Sequence, residues 1–513
     1  MTARSKTSSY CATFEIRVTP DQVPEIRRRQ ECARQIYNTC LSVLQKTWRR
    51  LRASPAWRSA LRDVQRIGGM TNPPPEATAL KSQAQALMQR IERQYGFSEY
   101  DLHKIADKVN KHFGIINPRR IDKKTGAPAV GGILGCSEAQ KTATQAWLAF
   151  QKFRFGQATK VRFKRFGDPV NIENKTNSFG LRMEGTQVLW ATRYGKKLVF
   201  PVLVGKGDKY AEDTFLDQTK YIRLFSREIR GRTRWYVQAV KEGTPPEKNR
   251  TAGPASISVG IDASPSTAVV YADSGKAVIE PLAPECAVIE PEIRRINRAI
   301  DRSFRSTNPD AYNEDGTIKR GVRLMPSKNC LKLQAIRRDL FRVQAAKRKE
   351  SHERLANRII AMGTDIKVED TPISSWTARA KKTSVNARNG RVRSKRRYGK
   401  TIANRAPGML LAIIDRKLRC HGASLRKVNS RRVKASQFDH STGTYRKKRL
   451  DERWAMVDGE KVQRDLYSAF LISSVAGKNL DRIDREKCNE GWMPFLAAQE
   501  AVLKNCDKTL GIF

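Results

Sequence analysis

The chain carries 99 Lys and Arg residues against 51 Asp and Glu, a formal net charge of +48, and that excess restricts which compact states are open to it. Self-repulsion of this size opposes compaction, so a polyanionic partner is its natural counterweight. Nucleic acid is such a partner, binding through counterion release with an affinity that falls steeply with salt. A purely solubilising surface is a poor alternative, because small soluble domains usually carry a net charge of only about 2–8. No apolar run is long enough to span a bilayer and the first ten residues hold no apolar signal stretch, so no membrane partner is expected. Nine cysteines without a CxxC pair argue against a disulfide framework and for a reducing, cytosolic compartment. A length of 513 residues suits about two to four domains.

Alternation over 12–18 predicts a strand. From 21 onward the pattern is helical, clearest over 30–41, with breaks at the proline run 73–75 and around 115–132. A further helix is predicted over 137–150. Basic and aromatic residues then interleave in Phe153-Arg-Phe-Gly156 and Lys160-Val-Arg-Phe-Lys-Arg-Phe166. This mixture suits a nucleic-acid face, with rings stacking bases while Arg162, Lys164 and Arg165 take phosphates. An ordinary amphipathic strand is the competing reading. Residues 196–241 read as β and can close one small barrel with the first strand, the helices being inserted between them. A linker over 242–254, rich in Pro, Gly and charge, ends this half.

The second half opens on an apolar strand, Ser256-Ile-Ser-Val-Gly-Ile-Asp262, and a hairpin turning at 273–275. A basic helix over 291–306 follows, then a long helix with Leu333, Ile336, Leu340 and Val343 on one face. The strand Ile366-Lys-Val368 ends in Glu369-Asp370. Residues 376–400 hold ten basic residues and no acidic one. They predict an extended or disordered phosphate-facing loop carrying Lys381, Lys382, Arg391, Arg393, Lys395, Arg396 and Arg397. Helices over 406–420 and 465–475 and a strand over 424–428 complete an α/β layer pattern.

In so basic a chain, acids at the ends of apolar strands stand out. Metal-assisted phosphodiester cleavage needs carboxylates converging on two Mg²⁺ ions about 4 Å apart. Asp262 lies within an apolar strand, where an unpaired carboxylate is costly. Glu369 or Asp370 ends another, and Asp465 stands at a predicted helix start above Tyr467, Phe470 and Leu471. Singly, each acid has an ordinary explanation as a turn residue, a salt-bridge partner or a helix cap. Spacing alone does not show that they converge.

These acids fall in three stretches that resemble the RuvC motifs of the transposon-encoded TnpB nucleases and their descendants, the compact type V CRISPR effectors. Gly260-Ile-Asp-Ala-Ser264 is similar to the first motif, Ile366-Lys-Val-Glu-Asp370 to the second, and Gln463-Arg-Asp-Leu-Tyr-Ser-Ala-Phe-Leu471 to the third. Arg17-Val-Thr-Pro20, Arg34-Gln-Ile-Tyr-Asn38 and Arg162-Phe-Lys-Arg-Phe-Gly167 resemble the family's N-terminal half, so the likeness runs over residues 12–475. It implies that Asp262, Glu369 and Asp465 are the catalytic, metal-holding acids, with Mg²⁺ or Mn²⁺ as cofactor, and it selects Glu369 over Asp370. It also implies that Arg453 lies near the metals and stabilises transition-state charge; a surface salt bridge with Asp451 or Glu452 is the alternative.

The chain departs from the family at Ser264, where glycine is usual, at Pro265, and at Tyr467-Ser-Ala469, where Asn-Ala-Ala is usual. The family's four-cysteine zinc ribbon has no counterpart, since no cysteine lies between Cys420 and Cys488. Asp439 and His440 do not make four donors, so no zinc is expected. Residues 430–460 are expected to form a hairpin lid held by packing.

The implied fold is multidomain α+β. A small wedge-like β-barrel (1–20 and 151–250) carries an inserted helical recognition domain (21–150). An RNase-H-like RuvC α/β nuclease domain (251–429 and 461–475) contains the degenerate ribbon, and a tail (476–513) follows. The implied function is RNA-guided DNA cleavage by a transposable-element endonuclease next to a short flanking motif. Its partners are guide RNA and double-stranded target DNA, with the chain a monomer or homodimer in a prokaryotic cytosol or nucleoid. In that division of labour base pairing reads sequence while a charged channel reads duplex shape. The alternatives are a miniature type V effector, a cleavage-deficient RNA-guided repressor, and a DNA-binding accessory protein without RNA.

Overall fold

A computed structural model describes residues 7–121, 126–191, 196–246, 252–377, 398–449 and 452–506. Two compact units divide the chain, Met1–Glu247 and Lys248–Phe513.

The first unit begins with β1 (Ser9–Ile16), whose alternate residues Tyr10, Ala12, Phe14 and Ile16 are buried. Four helices follow: α1 (Val23–Ala53), α2 (Pro55–Gly68), α3 (Pro75–Gln94) and α4 (Glu99–His112). The proline run ends on the first residue of α3, where a missing N–H is tolerated. The second expected break is a hairpin, β2 (Ile115–Ile121) with β3 (Pro128–Gly131), before α5 (Cys136–Arg154). The remaining strands are β4 (Ile172–Glu173), β5 (Leu181–Glu184), β6 (Gln187–Trp190), β7 (Leu198–Leu203), β8 (Thr219–Ile229) and β9 (Arg232–Glu242), with α6 (Lys209–Leu216) after β7.

They form one seven-stranded antiparallel sheet in the order β4-β8-β9-β1-β7-β6-β5. The first strand of the sequence thus sits at the middle of the sheet, and α1 to α5 are inserted between it and the edge strand β4. Asn174, just past β4, donates from Nδ2 to Leu181 O of β5 at 3.0 Å, which draws the two edge strands together and nearly closes the sheet. At this junction the fully buried Glu138 of α5 accepts from Leu181 N at 2.7 Å and from Gly135 N and Trp190 Nε1 at 3.0 Å. Residues 157–169 are neither helix nor strand, which removes the amphipathic-strand reading of 160–166.

In the second unit β10 (Ser258–Ala263), β11 (Thr267–Ala272) and β12 (Lys276–Pro281) make an antiparallel meander. Strands β13 (Asp365–Glu369) and β14 (Arg426–Val428) join in parallel, giving the order β12-β11-β10-β13-β14. Between β12 and β13 run α7 (Glu285–Thr307) and α8 (Lys328–Met362). Helix α7 starts before the expected 291 and contains Pro291, because its first turn is held by Cys286, whose carbonyl accepts from Gln344 Nε2 of α8 at 3.3 Å. Between β13 and β14 come α9 (Ile373–Trp376), α10 (Gly399–Arg405) and α11 (Pro407–Cys420). The expected loop over 376–400 is therefore helical at both described ends. Its residues 378–397, with Lys381, Lys382, Arg391, Arg393, Lys395, Arg396 and Arg397, lie outside the described residues.

After β14 the chain forms α12 (Ser430–Val433), the hairpin β15 (Trp454–Val457) and β16 (Glu460–Gln463), and α13 (Arg464–Ser473). A short pair, β17 (Val475–Ala476) and β18 (Arg482–Ile483), leads to α14 (Arg485–Glu490) and α15 (Trp492–Lys504). Strand alternation sorts the sheet into two faces. Val259, Ile261, Ile366 and Val368 pack with Ile359 of α8 and Ile414 of α11. Val269, Tyr271 and Val428 pack with Leu466, Tyr467 and Phe470 of α13 and with Trp492 and Phe495 of α15. The tail thus belongs to the core of this unit. Among the described residues no helix is long and apolar enough to cross a membrane.

Candidate active site

Because Val259 and Ile261 face α8, the intervening Gly260 and the next residue, Asp262, face α13. The same parity in β13 turns Lys367 and Glu369 to the α13 side. Ile261 pairs with Val368 in the parallel ladder, so Asp262 and Glu369 follow each other at neighbouring strand ends. Asp370 has the opposite parity; it is exposed and pairs with Lys427 at 2.9 Å.

Gly260 brings the third acid in. A Cβ at that position would lie 2.0 Å from Ala469 O and 2.5 Å from Ser473 N, so only glycine lets α13 lie directly on β10. Asp465 and Ser468, three residues apart on one face of α13, are then carried towards Asp262. Ser468, itself buried, stands beside the Asp262 carboxylate and favours its charged form. The far end of the helix is held by the buried Lys367, whose Nζ donates to Ser473 O at 2.8 Å and Val475 O at 2.9 Å.

The electrostatics are unusual for so basic a protein. Asp262 keeps partial solvent exposure, yet enough protein surrounds it that burial dominates its protonation. Burial, then the negative charges of Asp465 and Glu369, push its carboxyl from 3.8 up to about 8, against the pull of Ser468 and Arg464. Burial also raises Glu369, opposed by a hydrogen bond from Thr371.

Asp465 is gripped by arginine. Arg464 donates from both Nε and Nη2 to Asp465 Oδ1 at 3.0 Å. Its Nη1 reaches Glu452 O at 3.1 Å and Arg449 O at 3.3 Å, so the guanidinium is fixed on two sides. Arg453 Nη1 lies 3.9 Å from the other oxygen, Oδ2. Among the described residues, Arg453 thus stands beside the third acid. Asp451 lies outside the described residues, and Glu452 faces Arg446 at 3.8 Å. The start of α13 is capped by Gln463, whose side chain accepts from Leu466 N at 2.6 Å. Gln499 of α15 accepts from Gln463 N at 2.8 Å and donates to Lys461 O at 3.1 Å, so the tail helps to hold the third acid.

The family departures find ordinary physical accommodation. Ser264 is not at positive φ; its Oγ accepts from Thr267 N at 3.0 Å and closes the β10–β11 turn. Tyr467 is buried and its hydroxyl meets His440 Nδ1 at 2.7 Å, while the His440 ring packs on Trp492. His440 is thus a core residue, and the 430–460 segment is held through Val433, Phe438, Ala455 and Val457 in the same apolar cluster.

Arg464, Ser468, Gly260 and Gln499 are the site residues that sequence reasoning passed over. The three-residue step from Asp465 to Ser468 was a readable signal. Gly260 and Gln499 act through close packing between segments far apart in sequence, and Arg464 through main-chain carbonyls at 449 and 452. Arg162, Lys164 and Arg165 belong to the first unit.

Hard carboxylate oxygens suit Mg²⁺ or Mn²⁺. Among the described residues no three His, Cys, Asp or Glu side chains are close enough together to hold one ion. The donor set therefore fits ions held by one or two carboxylates, with water and phosphate oxygens as the other ligands, the usual arrangement for Mg²⁺. Burial and the nearby acids that raise Asp262 are what a divalent cation would offset.

No family model matches the chain, and no curated protein matches it in sequence. Two cryo-EM structures align with most of its length. The Cas12f1-sgRNA-target DNA complex is 13% identical, with a TM-score of 0.48, covering 89% of this chain and 83% of that one. A CRISPR-Cas12f ternary complex is also 13% identical, with a TM-score of 0.27 over 90% of this chain and 83% of that one. Likeness at this level is loose, and the site rests on this chain's own residues.

Proposed function

We propose that the chain is an RNA-guided DNA endonuclease, encoded by a transposable element, that cleaves DNA beside a short flanking motif with Asp262, Glu369 and Asp465 as its metal-holding acids. The observation that carries this reading is the placement of Asp262 and Glu369 at the ends of neighbouring interior strands, with Asp465 on the helix packed over them and both Glu369 and Asp465 adding their charge to the burial that raises Asp262, in a protein of net charge +48. Bound Mg²⁺ would activate water and neutralise charge at the scissile phosphate. The chain's own groups do the rest. Ser468 favours the charged form of Asp262, Arg464 fixes one oxygen of Asp465, and the other oxygen, beside Arg453, would be available to hold a metal. Arg453 then stands where negative charge on the phosphate develops.

In this reading the first unit, a nearly closed sheet with inserted helices, is the nucleic-acid recognition half, and the second is the RNase-H-like nuclease half. The guide RNA and the double-stranded target supply the polyanion that the net charge requires. The test combines the purified protein with RNA transcribed from the sequence adjoining its own gene, Mg²⁺ and a plasmid library matching the guide. Guide-dependent cuts that disappear with EDTA and in Asp262→Ala are expected, by about 10³-fold or more. Cleavage that survives in Asp262→Ala overturns the site, and guide-independent cleavage overturns the RNA-directed role.

A further inference from the structure

The segment 160–167 is held unusually for a stretch that is neither helix nor strand. Helix α1 presents Gln30, Arg34 and Asn38 at four-residue steps, hence along one face. These side chains grip the main chain of the segment. Asn38 Nδ2 donates to Lys164 O and Asn38 Oδ1 accepts from Lys164 N, both at 2.9 Å. Arg34 Nη1 adds a bond to Lys164 O at 3.2 Å, and Gln30 Nε2 donates to Val170 O at 2.9 Å. Val161 packs on the core and Val170 is buried. The backbone is therefore fixed without a neighbouring strand, and the side chains of Arg162, Phe163, Arg165 and Phe166 stay outside.

What remains outside is apolar and cationic together. Phe163 is 46% exposed and Phe166 is 84% exposed, against full burial for Phe150 nearby. Arg162 and Arg165 are exposed between them. Residues 152–167 contain six basic residues and no acidic one. The Arg34 guanidinium, already paired with Glu31, lies over the Phe166 ring at 5.9 Å from its centroid. Leaving two phenyl rings in water forfeits most of the stabilisation their burial gives. A partner with flat apolar faces and regularly placed negative charges would cover rings and cations at once, and unpaired bases on a phosphate backbone have that chemistry.

We propose that Phe163 and Phe166, with Arg162 and Arg165, form a stacking platform for unpaired bases of RNA. Duplex DNA offers no free base faces, whereas RNA loops and single-stranded stretches splay their bases onto aromatic rings. The inference rests on the proposed binding of a guide RNA and adds the site and the mode.

The test uses full-length protein and oligonucleotides carrying 2-aminopurine, whose fluorescence is quenched by stacking. Unpaired RNA is expected to be quenched on binding. The pair Phe163→Leu and Phe166→Leu should lose that quenching and weaken binding by about 10- to 100-fold while keeping the salt slope. Arg162→Ala with Arg165→Ala should instead flatten the salt slope. All four positions are largely exposed, and an unchanged melting curve verifies that each variant folds. Full quenching in the Phe variant overturns the platform. Quenching of single-stranded DNA but not RNA overturns the choice of RNA. Failure of the wild-type protein to bind RNA at all overturns the proposed function itself, a separate outcome.

Discussion

Glu138 in the first unit and Asp262 in the second are both carboxylates pushed upward by burial, and their surroundings are opposite. Glu138 meets three N–H donors and the positive charge of the buried Arg29, which is the pattern of a satisfied structural acid. Asp262 meets Ser468 and two further acids. Burial alone therefore does not mark a functional carboxylate in this protein. Like charge held nearby does, because folding gains nothing from it unless a cation completes the arrangement.

The contrast is sharpened most by Glu138→Ala. It strands Leu181 N and Trp190 Nε1 in the interior, while Arg29 keeps its pair with Glu25, and should destabilise the first unit by about 3–5 kcal/mol in chemical unfolding. A loss below 1 kcal/mol would show the network to be dispensable. Next in size is Arg464→Lys. An ammonium cannot reproduce the two-point grip on Asp465 Oδ1, so the Mg²⁺ concentration for half-maximal cleavage should rise by about 10- to 100-fold. An unchanged Mg²⁺ requirement removes Arg464 from the site.

The smallest effect has the most informative sign. The folded state holds a proton on Asp262 up to about 8, whereas the ordinary value is 3.8. Between those values the folded state binds more protons than the unfolded one, so metal-free stability falls as pH rises through this window and levels off above it. Asp262→Asn should abolish this decline. At pH 8 it should raise the metal-free melting temperature by about 2–4 °C, the shift that 1 kcal/mol gives in a domain of this size. A lower melting temperature would make Asp262 a structural acid like Glu138.

Much of this was legible in the sequence, for reasons that differ by element. The strand over Val259, Gly260 and Ile261 and the short strand before Glu369 were readable because each is an apolar run bounded by polar residues. Alternation could not decide between Glu369 and Asp370, since either parity fits a strand buried on both faces; resemblance chose Glu369, and the sheet parity gives the physical reason. The place of β1 at the middle of the sheet depends on pairing with β9 more than two hundred residues away, which no local pattern encodes. The hairpin at 115–131 was obscured by Pro118 and Pro128, which punctuate its strands. The grip of Arg464 was hidden because its partners at 449 and 452 are main-chain carbonyls.

The central claim, one divalent-metal centre built on Asp262, Glu369 and Asp465, is tested most directly by titrating Mn²⁺ into nucleic-acid-free protein at pH 8 and counting bound ions by electron paramagnetic resonance. Specific Mn²⁺ binding is expected, displaced by Mg²⁺ and weakened by at least about tenfold in Asp262→Asn. Equal binding by the wild type and Asp262→Asn would contradict it.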